Sequence, residues 1–583
     1  MPQHKPPPGP RRPRPLERLH DIRHRYDSGA ADAKLALIAR LERVSLRSAR
    51  RLRAYHDDLL FLRAFPDDSR VHDAAVAALG RMERRVHALT PAHRRQLDDS
   101  GMAGTITRHA FAFGTAQWLA QSEEGADIDW HAFVAPERLD PLLRLTLTQA
   151  EADAFDSGEL STRAWLELAH GGTRRGTLAW LVHASGAPPR RRAGAARAPD
   201  PAVMRMLYDT LEVPVRWRLT NRHSTSGNSV SGVAVHPRSA MRSAPVDPVA
   251  HIGTPLASIV HLPRARAILW LDAARAALTA RCREVHAITY ANPDEVFVAD
   301  LGGGAMLCLI GAARDERLSL EANYGFVIFA NGVPIGYGGV TPLAAQANTG
   351  VNVFEAFRHA EASMLFAQSL RAFRTLFGVT RFIVNPYQFG ADNDEALSSG
   401  AYWFYDRLGF RPEHVAVRAL ADRERLRRSA SRGYRSSPAT LRRLATHDLV
   451  LELAGASRTI RVDEHSLVLI ASAVTTALSA HDIPARFLRR DAAIDAVAEA
   501  LGIRRWRTAN GQLQFGVQRL GPVIALILDD VRRWSRDDRR ALVALMHAKG
   551  AQQERAFALA SRAHRPLWIA LRRLCRRLET ASL

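Results

Sequence analysis

The stretch with the clearest chemical potential is a predicted strand that runs directly into a predicted helix. The strand covers residues 351–357, and the turn after it covers residues 358–363. The first turn of a helix presents free backbone N–H groups, and the helix macrodipole adds positive potential there. Such a turn suits a pyrophosphate group, and Arg358 adds a formal positive charge. The pattern therefore predicts an anion-binding turn.

A carboxylate stands in the same turn and leaves two interpretations open. Glu361 would stabilise the helix dipole by roughly 0.3 to 1 kcal/mol, but it would also repel a bound anion. In the first interpretation its side chain turns outward, and Arg358 holds a diphosphate together with the N–H groups of residues 360–363. In the second, no diphosphate is bound.

The elements before and after this turn follow from local patterns. NYGFVIFANGVPIGYGGVTPL, residues 323–343, contains two β-rich runs around Asn331 and Gly332. This dipeptide adopts positive φ easily and favours a two-residue hairpin turn. EASMLFAQSLRAFRTLFG, residues 361–378, has apolar residues at helical spacing, which predicts an amphipathic helix.

Further strands and a helix are predicted beyond this point. TRFIVNPY (380–387) is typical of a buried strand, and NDEALSSGAYWFYDRLGFRPE (393–413) predicts one helix that Gly409 ends. HVAVRAL (414–420) predicts a sixth strand, and DLVLELA (448–454) predicts the final strand of the sheet. Together these segments predict an α/β (α+β) domain with a mixed sheet.

This order of elements resembles the core of the GNAT-type acyl-CoA-dependent N-acyltransferases. That family runs hairpin, strand, pyrophosphate-binding turn, helix, strand, helix. VFEAFRHAEAS, residues 353–363, stands where the family has Val-x-Pro-x-x-Arg-x-x-Gly-x-Gly. FYDRLGF, residues 404–410, stands where the family has Tyr-x-x-x-Gly-Phe. The resemblance implies a central GNAT-like mixed sheet.

The resemblance also implies an activity, which is acyl transfer from acetyl-CoA, another acyl-CoA or another pantetheine thioester to an amine. Tyr405 is then the general acid that protonates the leaving thiolate, although an ordinary phenol, with a pKa of about 10, donates reluctantly. Glu355 is the candidate base for the amine proton. The alternatives from packing are that Tyr405 is an aromatic residue on the sheet and that Glu355 is an exposed strand residue. No metal is expected.

The residues that the resemblance assigns to donor binding lie along the strand end and the turn, with one more after the next strand. They are Val353, Phe354, Phe357, Arg358, His359, Ala360, Glu361, Ala362, Ser363 and Asn393. Asn393 is also a natural N-cap, and Asn385 and Gln388 are further polar residues near the strand end. Glu361 and Ser363 replace family glycines. If no diphosphate binds, the donor is an acyl carrier protein, whose pantetheine arm lacks adenosine diphosphate, or the domain has lost catalysis.

A chain of 583 residues is long enough for several domains, each with its own core. Changes in composition and periodicity divide it into five parts. They are a disordered basic Pro-rich tail (1–15), an α-helical domain (16–189), a linker with a short structured piece (190–250), the GNAT-like domain (251–455) and an α-helical C-terminal domain (456–583).

The net charge of +22 suggests that acidic partners are attracted. The only lysines are Lys5, Lys34 and Lys549, and a GC-rich genome would explain such an arginine bias equally well. Arginines are densest at residues 422–448, where an acidic partner such as an acyl carrier protein or a nucleic acid would dock. The alternative is a solvated helix face. Two rival functions follow, a non-catalytic interaction module and a nucleic-acid-associated factor.

Other features of the sequence argue against several kinds of site and against secretion or membrane insertion. Cys282, Cys308 and Cys575 have no CxxC spacing, which argues against a disulfide framework or zinc site. GGG at 302–304 lacks the spacing of a dinucleotide-binding loop. The N-terminal segment lacks an apolar signal region, and SLVLIASAVTTALSA (466–480) is too short to span a bilayer and predicts a core helix. We therefore expect a cytoplasmic protein without membrane contact, acting on a small-molecule or protein amine.

Overall fold

The computed structural model describes residues 14–122, 125–171, 176–186, 201–358, 361–456 and 461–581. These residues divide into two compact units, and both units take in separate segments of the chain. The first contains the described residues up to Met241 with Leu269–Val285 and Ala330–Pro334, and the second contains Arg242–Ile268, His286–Phe329 and the described residues from Ile335 onward.

The first unit combines helices with a small antiparallel sheet. Its helices are α1 (Pro15–Ile22), α2 (Ala30–Glu42), α3 (Ala49–Ala64), α4 (Ser69–Gly80), α5 (Met82–His87), α6 (Pro91–Arg95), α7 (Phe113–Ser122), α8 (Asp140–Arg144), α9 (Gln149–Asp156), α10 (Thr162–Ala169), α11 (Gly176–Gly186) and α12 (Pro201–Leu211). Its strands are β1 (Ile106–Ala110), β2 (Ala126–Ile128) and β3 (Pro214–Arg218), in the order β1-β3-β2. Trp217 of β3 is fully buried and contacts Trp118 edge-on, with ring centroids 6.0 Å apart.

This sheet corrects the expectation that residues 16–189 are wholly helical. Strands β1 and β2 lie inside that range, and β3 lies in the short structured piece predicted within the linker at 190–250. β1 has five residues and β2 has three, so neither offers enough alternation for a period to be read from the sequence. Their stability depends on β3, which pairs with both from a distant part of the chain.

Nearly all of a nine-stranded mixed sheet belongs to the second unit. Its strands are β4 (Ile259–His261), β5 (Ala291–Gly302), β6 (Ala305–Ala312), β7 (Tyr324–Ala330), β8 (Val333–Leu343), β9 (Gln346–Val353), β10 (Arg381–Val384), β11 (Arg411–Pro412) and β12 (Leu449–Glu452). The spatial order is β11-β12-β10-β9-β8-β7-β6-β5-β4. β9 and β10 are parallel, whereas β8 with β9, β10 with β12 and β11 with β12 are antiparallel. The mixed α/β character predicted from the sequence is therefore confirmed.

The remaining helices precede, separate or follow the strands of this sheet in the chain. They are α13 (Pro248–Gly253), α14 (Arg264–Thr279, whose later residues belong to the first unit), α15 (His286–Thr289), α16 (Ala362–Phe377), α17 (Asp394–Ser399), α18 (Ala401–Arg407), α19 (Val415–Ala430), α20 (Pro438–Leu444), α21 (Glu464–Ala477), α22 (Ile483–Ala500), α23 (Gly511–Ala525), α24 (Leu528–Arg533), α25 (Arg536–Lys549), α26 (Arg555–Ala563) and α27 (Arg565–Ala581). Short 3-10 turns cover Pro136–Leu139, Arg314–Glu316, Glu355–Phe357, Pro386–Phe389 and Trp506–Thr508.

The predicted hairpin and the helix after the turn are both confirmed. Asn331 and Gly332 have φ angles of 48° and 76°, as a two-residue turn of the primed type requires. α16 packs its apolar stripe on the sheet, where the Phe373 ring lies 5.3 Å from Phe326. Gly378 ends α16 in the left-handed conformation, with φ of 68°, because glycine has no Cβ to clash there.

Two predicted segments differ in the structure. Residues 393–413 form α17 and α18 rather than one helix, because Gly400 takes a left-handed conformation between them. HVAVRAL is not a strand but the start of α19, whose buried residues Val417, Leu420, Ala421 and Glu424 recur at the spacing of a helix. The alternating valines of this segment are compatible with a strand and with a helix. The helical spacing of buried residues continues through α19, so the segment is helical. The predicted final strand is confirmed as β12.

The predicted core helix at 466–480 is helical, and within this range Ile470 and Leu478 are buried. In α21 only Ile470 is buried, and Val468 is more than half exposed. No helix among the described residues is both long enough and apolar enough to cross a membrane.

A buried charge network joins the later helices to the sheet. Lys549, at the end of α25, donates from Nζ to Glu554 Oε1 at 2.5 Å, and Arg317 donates to the Lys549 carbonyl oxygen at 2.7 Å. The Arg317 guanidinium also lies 3.6 Å from Glu295 in β5. Tyr324 in β7 donates to the same carboxylate at 2.5 Å. All five side chains are buried, so α25 and the residues before α26 are tied to β5 and β7.

Candidate active site

The site begins where two parallel strands separate. β9 and β10 pair through Gln346 with Arg381, Ala347 with Phe382 and Asn348 with Ile383. β10 ends one residue later at Val384, whereas β9 continues to Val353. Residues 349–353 of β9 pair with β8 on one side. On the other side, β10 has already ended, so side chains rather than a strand lie against this edge of β9.

Tyr405 of α18 lies at this edge. Its side chain is 1% exposed, and the Val351 N–H donates a long hydrogen bond of 3.5 Å to its hydroxyl oxygen. The rings of Phe366, Phe404 and Phe410 contact the phenol edge-on, at centroid distances of 5.9, 5.1 and 5.7 Å. Burial raises the pKa of Tyr405, and the Val351 N–H opposes that shift. The phenol is thus protonated and aimed at backbone that lacks a second strand.

Gln388 occupies the neighbouring part of the edge. It belongs to the 3-10 turn after β10, and a Cβ added to Gly350 would lie 2.6 Å from its Cδ. Gly350 therefore leaves the room that the Gln388 side chain fills. The sequence marked Gln388 as a polar residue near a strand end, but its position over β9 comes from the tertiary structure.

A small apolar cavity lies beside the end of β9. It encloses about 10 Å³ and is lined by Ile328, Ile335, Gly336, Val353, Phe357, Ala362 and Leu365. Val353, Phe357 and Ala362 are among the predicted donor-binding residues, so the structure brings these three together. The volume matches about one water molecule, so this cavity does not accommodate a pantetheine arm in the described conformation.

The negative charge of Glu361, in the turn before α16, is balanced by an arginine. Glu361 stands at the N-cap of α16, and its side chain is fully buried. Arg242 donates to its carboxylate from Nε at 2.6 Å and from the backbone N–H at 3.1 Å. The same guanidinium donates to the Leu301 carbonyl oxygen at 3.0 Å. The interpretation in which Glu361 turns outward is therefore wrong, and Arg242 is a residue of this turn that the sequence analysis missed.

Arg358 also has a carboxylate partner. It forms an ion pair with Glu395, near the start of α17, and both side chains are exposed. His359 and Ala360 lie outside the described residues. The cations described at this turn, Arg358 and Arg242, are thus each paired with a glutamate.

The other predicted site residues lie around this edge with mixed exposure. The predicted strand through residue 357 ends at Val353, and Glu355 lies in the exposed first position of a 3-10 turn, not in a strand. Phe354 is buried and stacks obliquely on Tyr337, with ring centroids 5.4 Å apart. Ser363 is half-buried in α16. Asn393 caps α17, accepting from the Ala396 N–H at 3.0 Å, so its N-cap role is confirmed.

The helix that carries Tyr405 is held by the arginine-rich segment. Arg425 of α19 donates to Asp406 at 2.8 Å, and the Arg428 guanidinium carbon lies 4.5 Å from the Trp403 ring centroid. Asp406 and Trp403 flank Tyr405 closely in α18. The arginine-rich segment therefore packs against α18, the helix that carries the candidate acid.

Comparison of the chain with protein-family models, with curated proteins and with solved structures found no match.

Proposed function

We propose that the protein transfers an acyl group from a pantetheine thioester to an amine. The observation that carries this proposal is the separation of β9 from β10, with the Tyr405 hydroxyl at the Val351 N–H inside the opening. The order of hairpin, β9, turn, α16, β10 and α17–α18 supports the proposal, because the family that the sequence resembles runs hairpin, strand, turn, helix, strand, helix. These features favour a GNAT-like sheet in which the donor replaces the missing strand.

The proposed donor lies along residues 349–353. Backbone N–H groups on the open edge of β9 would donate to the pantetheine amides and to the thioester carbonyl oxygen, and such donors stabilise the tetrahedral oxyanion. The amine nitrogen forms the new bond to the carbonyl carbon, and the carbon–sulfur bond then breaks. The sulfur takes the hydroxyl proton of Tyr405. Glu355 accepts the amine proton through water, and the phenolate is reprotonated from solvent.

Proton transfer from Tyr405 to the leaving thiolate is unfavourable, but only by a small free energy. An ordinary phenol has a pKa of about 10 and an ordinary thiol about 8.5, a difference equivalent to roughly 2 kcal/mol. Burial raises the pKa of Tyr405, and the same desolvation would raise the pKa of a thiol bound beside it. Tyr405 therefore keeps its proton until negative charge develops on the sulfur.

Donor entry requires movement at the edge of β9. The cavity beside Val353 holds about 10 Å³, and Gln388 covers Gly350. The turn Pro386–Phe389 follows the end of β10 and carries Gln388, so its displacement opens the edge. We propose that this turn moves when the donor binds.

A second candidate is a non-catalytic module with the same sheet. The observation that favours it is the internal pairing of Glu361 with Arg242 and of Arg358 with Glu395. These contacts occupy the cations that would hold a coenzyme A diphosphate. The two candidates differ in one measurable property, which is cleavage of a pantetheine thioester.

The test uses octanoyl-pantetheine and a panel of amines, with thiol release as the readout. The wild type should release thiol only when an amine is present, and Tyr405→Phe should lower kcat more than tenfold because an acid typically contributes at least that much. Donor binding should not change, because the ring packing remains. Tyr402→Phe is the matched control, since the Tyr402 hydroxyl on the same helix is buried without a hydrogen-bond partner among the described residues. Unchanged turnover in Tyr405→Phe, or no thiol release by the wild type, would reject the proposal.

A further inference from the structure

The turn before α16 is poorly suited to coenzyme A. Coenzyme A carries a diphosphate and a further phosphate on its adenosine, and these groups need cations or free N–H donors. Glu361 is fully buried at the helix start and already holds Arg242. Arg358 is held by Glu395. Among the described residues of this turn, the charges are therefore balanced before any ligand arrives.

Near the helix that carries Tyr405, by contrast, positive charges are in excess because several arginines lie close together. Arg407 lies two residues beyond Tyr405 on α18 and is exposed, whereas Tyr405 is buried. Arg428 of α19 lies over the Trp403 ring. Burial lowers the pKa of Arg428, and the nearby positive charges of Arg407 and Arg435 lower it further, against the opposing charges of neighbouring carboxylates. We call Arg407 of α18, Arg428 of α19 and Arg435 of the loop after α19 the α18–α19 arginine cluster.

The carboxylates around this cluster are engaged elsewhere. Asp406 accepts from Arg425 at 2.8 Å and from Arg411 at 3.2 Å. Glu424 accepts from Arg427 at 3.0 Å and from hydroxyl groups of the following loop.

Exposed arginines in this region remain uncompensated. Arg407, Arg423 and Arg432 are exposed and have no ion pair among the described residues. Residues 422–448 contain eight arginines and three carboxylates, a net charge of +5. A surface with this excess, beside the helix that carries the candidate acid, attracts an extended acidic partner.

We propose that the acyl donor is an acidic acyl carrier protein that docks on the α18–α19 arginine cluster and delivers its pantetheine arm to Tyr405. The inference rests on the proposed acyl transfer and names its donor. A carrier protein's arm has pantetheine and a single phosphate diester but no adenosine, so it does not need the turn before α16. Its acidic surface supplies the negative charge that the cluster lacks. The turn and the cluster thus favour the same donor for independent reasons.

The experiment measures carrier binding by the full chain. A fluorescein-labelled acyl carrier protein with a hydrolysis-resistant octanoyl-amide arm is titrated in 50 and 200 mM NaCl, and fluorescence anisotropy gives the Kd. We expect the Kd to rise at least tenfold at the higher salt, because exposed charges are screened. Octanoyl-CoA, titrated calorimetrically under the same conditions, should bind at least tenfold more weakly than the carrier.

Two charge-reversal variants locate the surface. Arg407→Glu with Arg435→Glu should weaken carrier binding at least tenfold. Arg536→Glu with Arg576→Glu changes the net charge equally at exposed arginines of α25 and α27 that have no ion pair among the described residues, and it should bind like the wild type. Circular dichroism checks that both variants are folded. Octanoyl-pantetheine, which lacks the carrier, should react equally with all three proteins.

Several results would overturn the inference. One is octanoyl-CoA binding as tightly as the carrier. Another is equal loss of carrier binding in both double variants, because the attraction would then be nonspecific. A third is a 30-nucleotide RNA or duplex DNA that binds more tightly than the carrier and is lost in the Arg407/Arg435 variant, which would make the cluster a nucleic-acid interface. Carrier binding without thiol release from octanoyl-pantetheine would instead reject the proposed function and, with it, the donor role.

Discussion

Replacing Arg242 with methionine tests the most consequential contact of the candidate site. The substitution keeps much of the aliphatic volume but removes the guanidinium that donates to Glu361 at 2.6 Å. Glu361 would remain in a position where its side chain has no solvent exposure, with the backbone N–H of residue 242 as its remaining donor from that residue. The variant therefore measures the cost of removing the guanidinium from a buried carboxylate.

The burial of the pair sets the expected loss in the free energy of unfolding. Removing one partner of a fully buried ion pair typically costs about 3 to 5 kcal/mol. Arg242 is 25% exposed at its side chain, so water can reach the vacated space, and we expect the lower end, about 3 kcal/mol. The double variant Arg242→Met with Glu361→Gln removes both charges. It should recover most of the loss, because a neutral amide is much cheaper to bury than a carboxylate.

Urea unfolding followed by tryptophan fluorescence measures these free energies for wild type, both single variants and the double variant. Arg264→Met is the control, because Arg264 and Asp294 form a 2.5 Å pair in which the arginine is largely exposed, and such pairs contribute about 0 to 1 kcal/mol. If Arg242→Met unfolds within 1 kcal/mol of the wild type, or if the double variant is no more stable than the single one, the buried pair at the start of α16 is not the contact described.

Three further predictions address the turn before α16, the close approach of β8 to β9 and the buried charge network. Glu361→Gln should strengthen binding of coenzyme A about tenfold in calorimetry, because it frees the paired arginine and removes a repelling charge, an effect of about 1.4 kcal/mol; unchanged affinity would show that the turn does not face the ligand. Gly338→Ala should destabilise the protein by about 1 to 3 kcal/mol, because its Cβ would lie 2.0 Å from a backbone oxygen of β9, whereas at Gly339 the nearest atom is 3.6 Å away and alanine should be tolerated. Burial lowers the pKa of Lys549 to about 8, against the opposing charge of Glu554, while an unfolded chain holds this proton with a pKa of about 10.4. The unfolded state then binds more protons between about pH 8 and pH 10, so the wild type should gain stability over this window relative to Lys549→Met with Glu554→Gln. Parallel stability curves for the two proteins would contradict this assignment.

Local signals in the sequence determined much of the central architecture. Asn331 and Gly332 specify their turn because the turn requires positive φ at both positions and these residues adopt it easily. Gly378 and Gly409 also adopt positive φ, and each follows the end of a helix. The apolar spacing of α16 and the buried runs of β10 and β12 also identify their elements without knowledge of the rest of the chain. Each of these features depends on residues within one or two turns of one another.

Tertiary structure decided what the sequence left ambiguous. HVAVRAL fitted both a strand and a helix, and α19 was selected by which residues could be buried together. β1 and β2 are too short to be recognised without β3. The direction of Glu361 depended on Arg242, which is 119 residues away in the chain.

The open edge of β9 also arose from tertiary structure. It follows from where β10 ends in the register of the sheet, and Tyr405 reaches it from a separate helix. Such contacts between distant segments are set by the packing of the whole unit, and no local pattern of residue types encodes them. The sequence therefore determined the elements of the candidate site, while the packing of those elements decided which side chains meet there and which charges remain available to a partner.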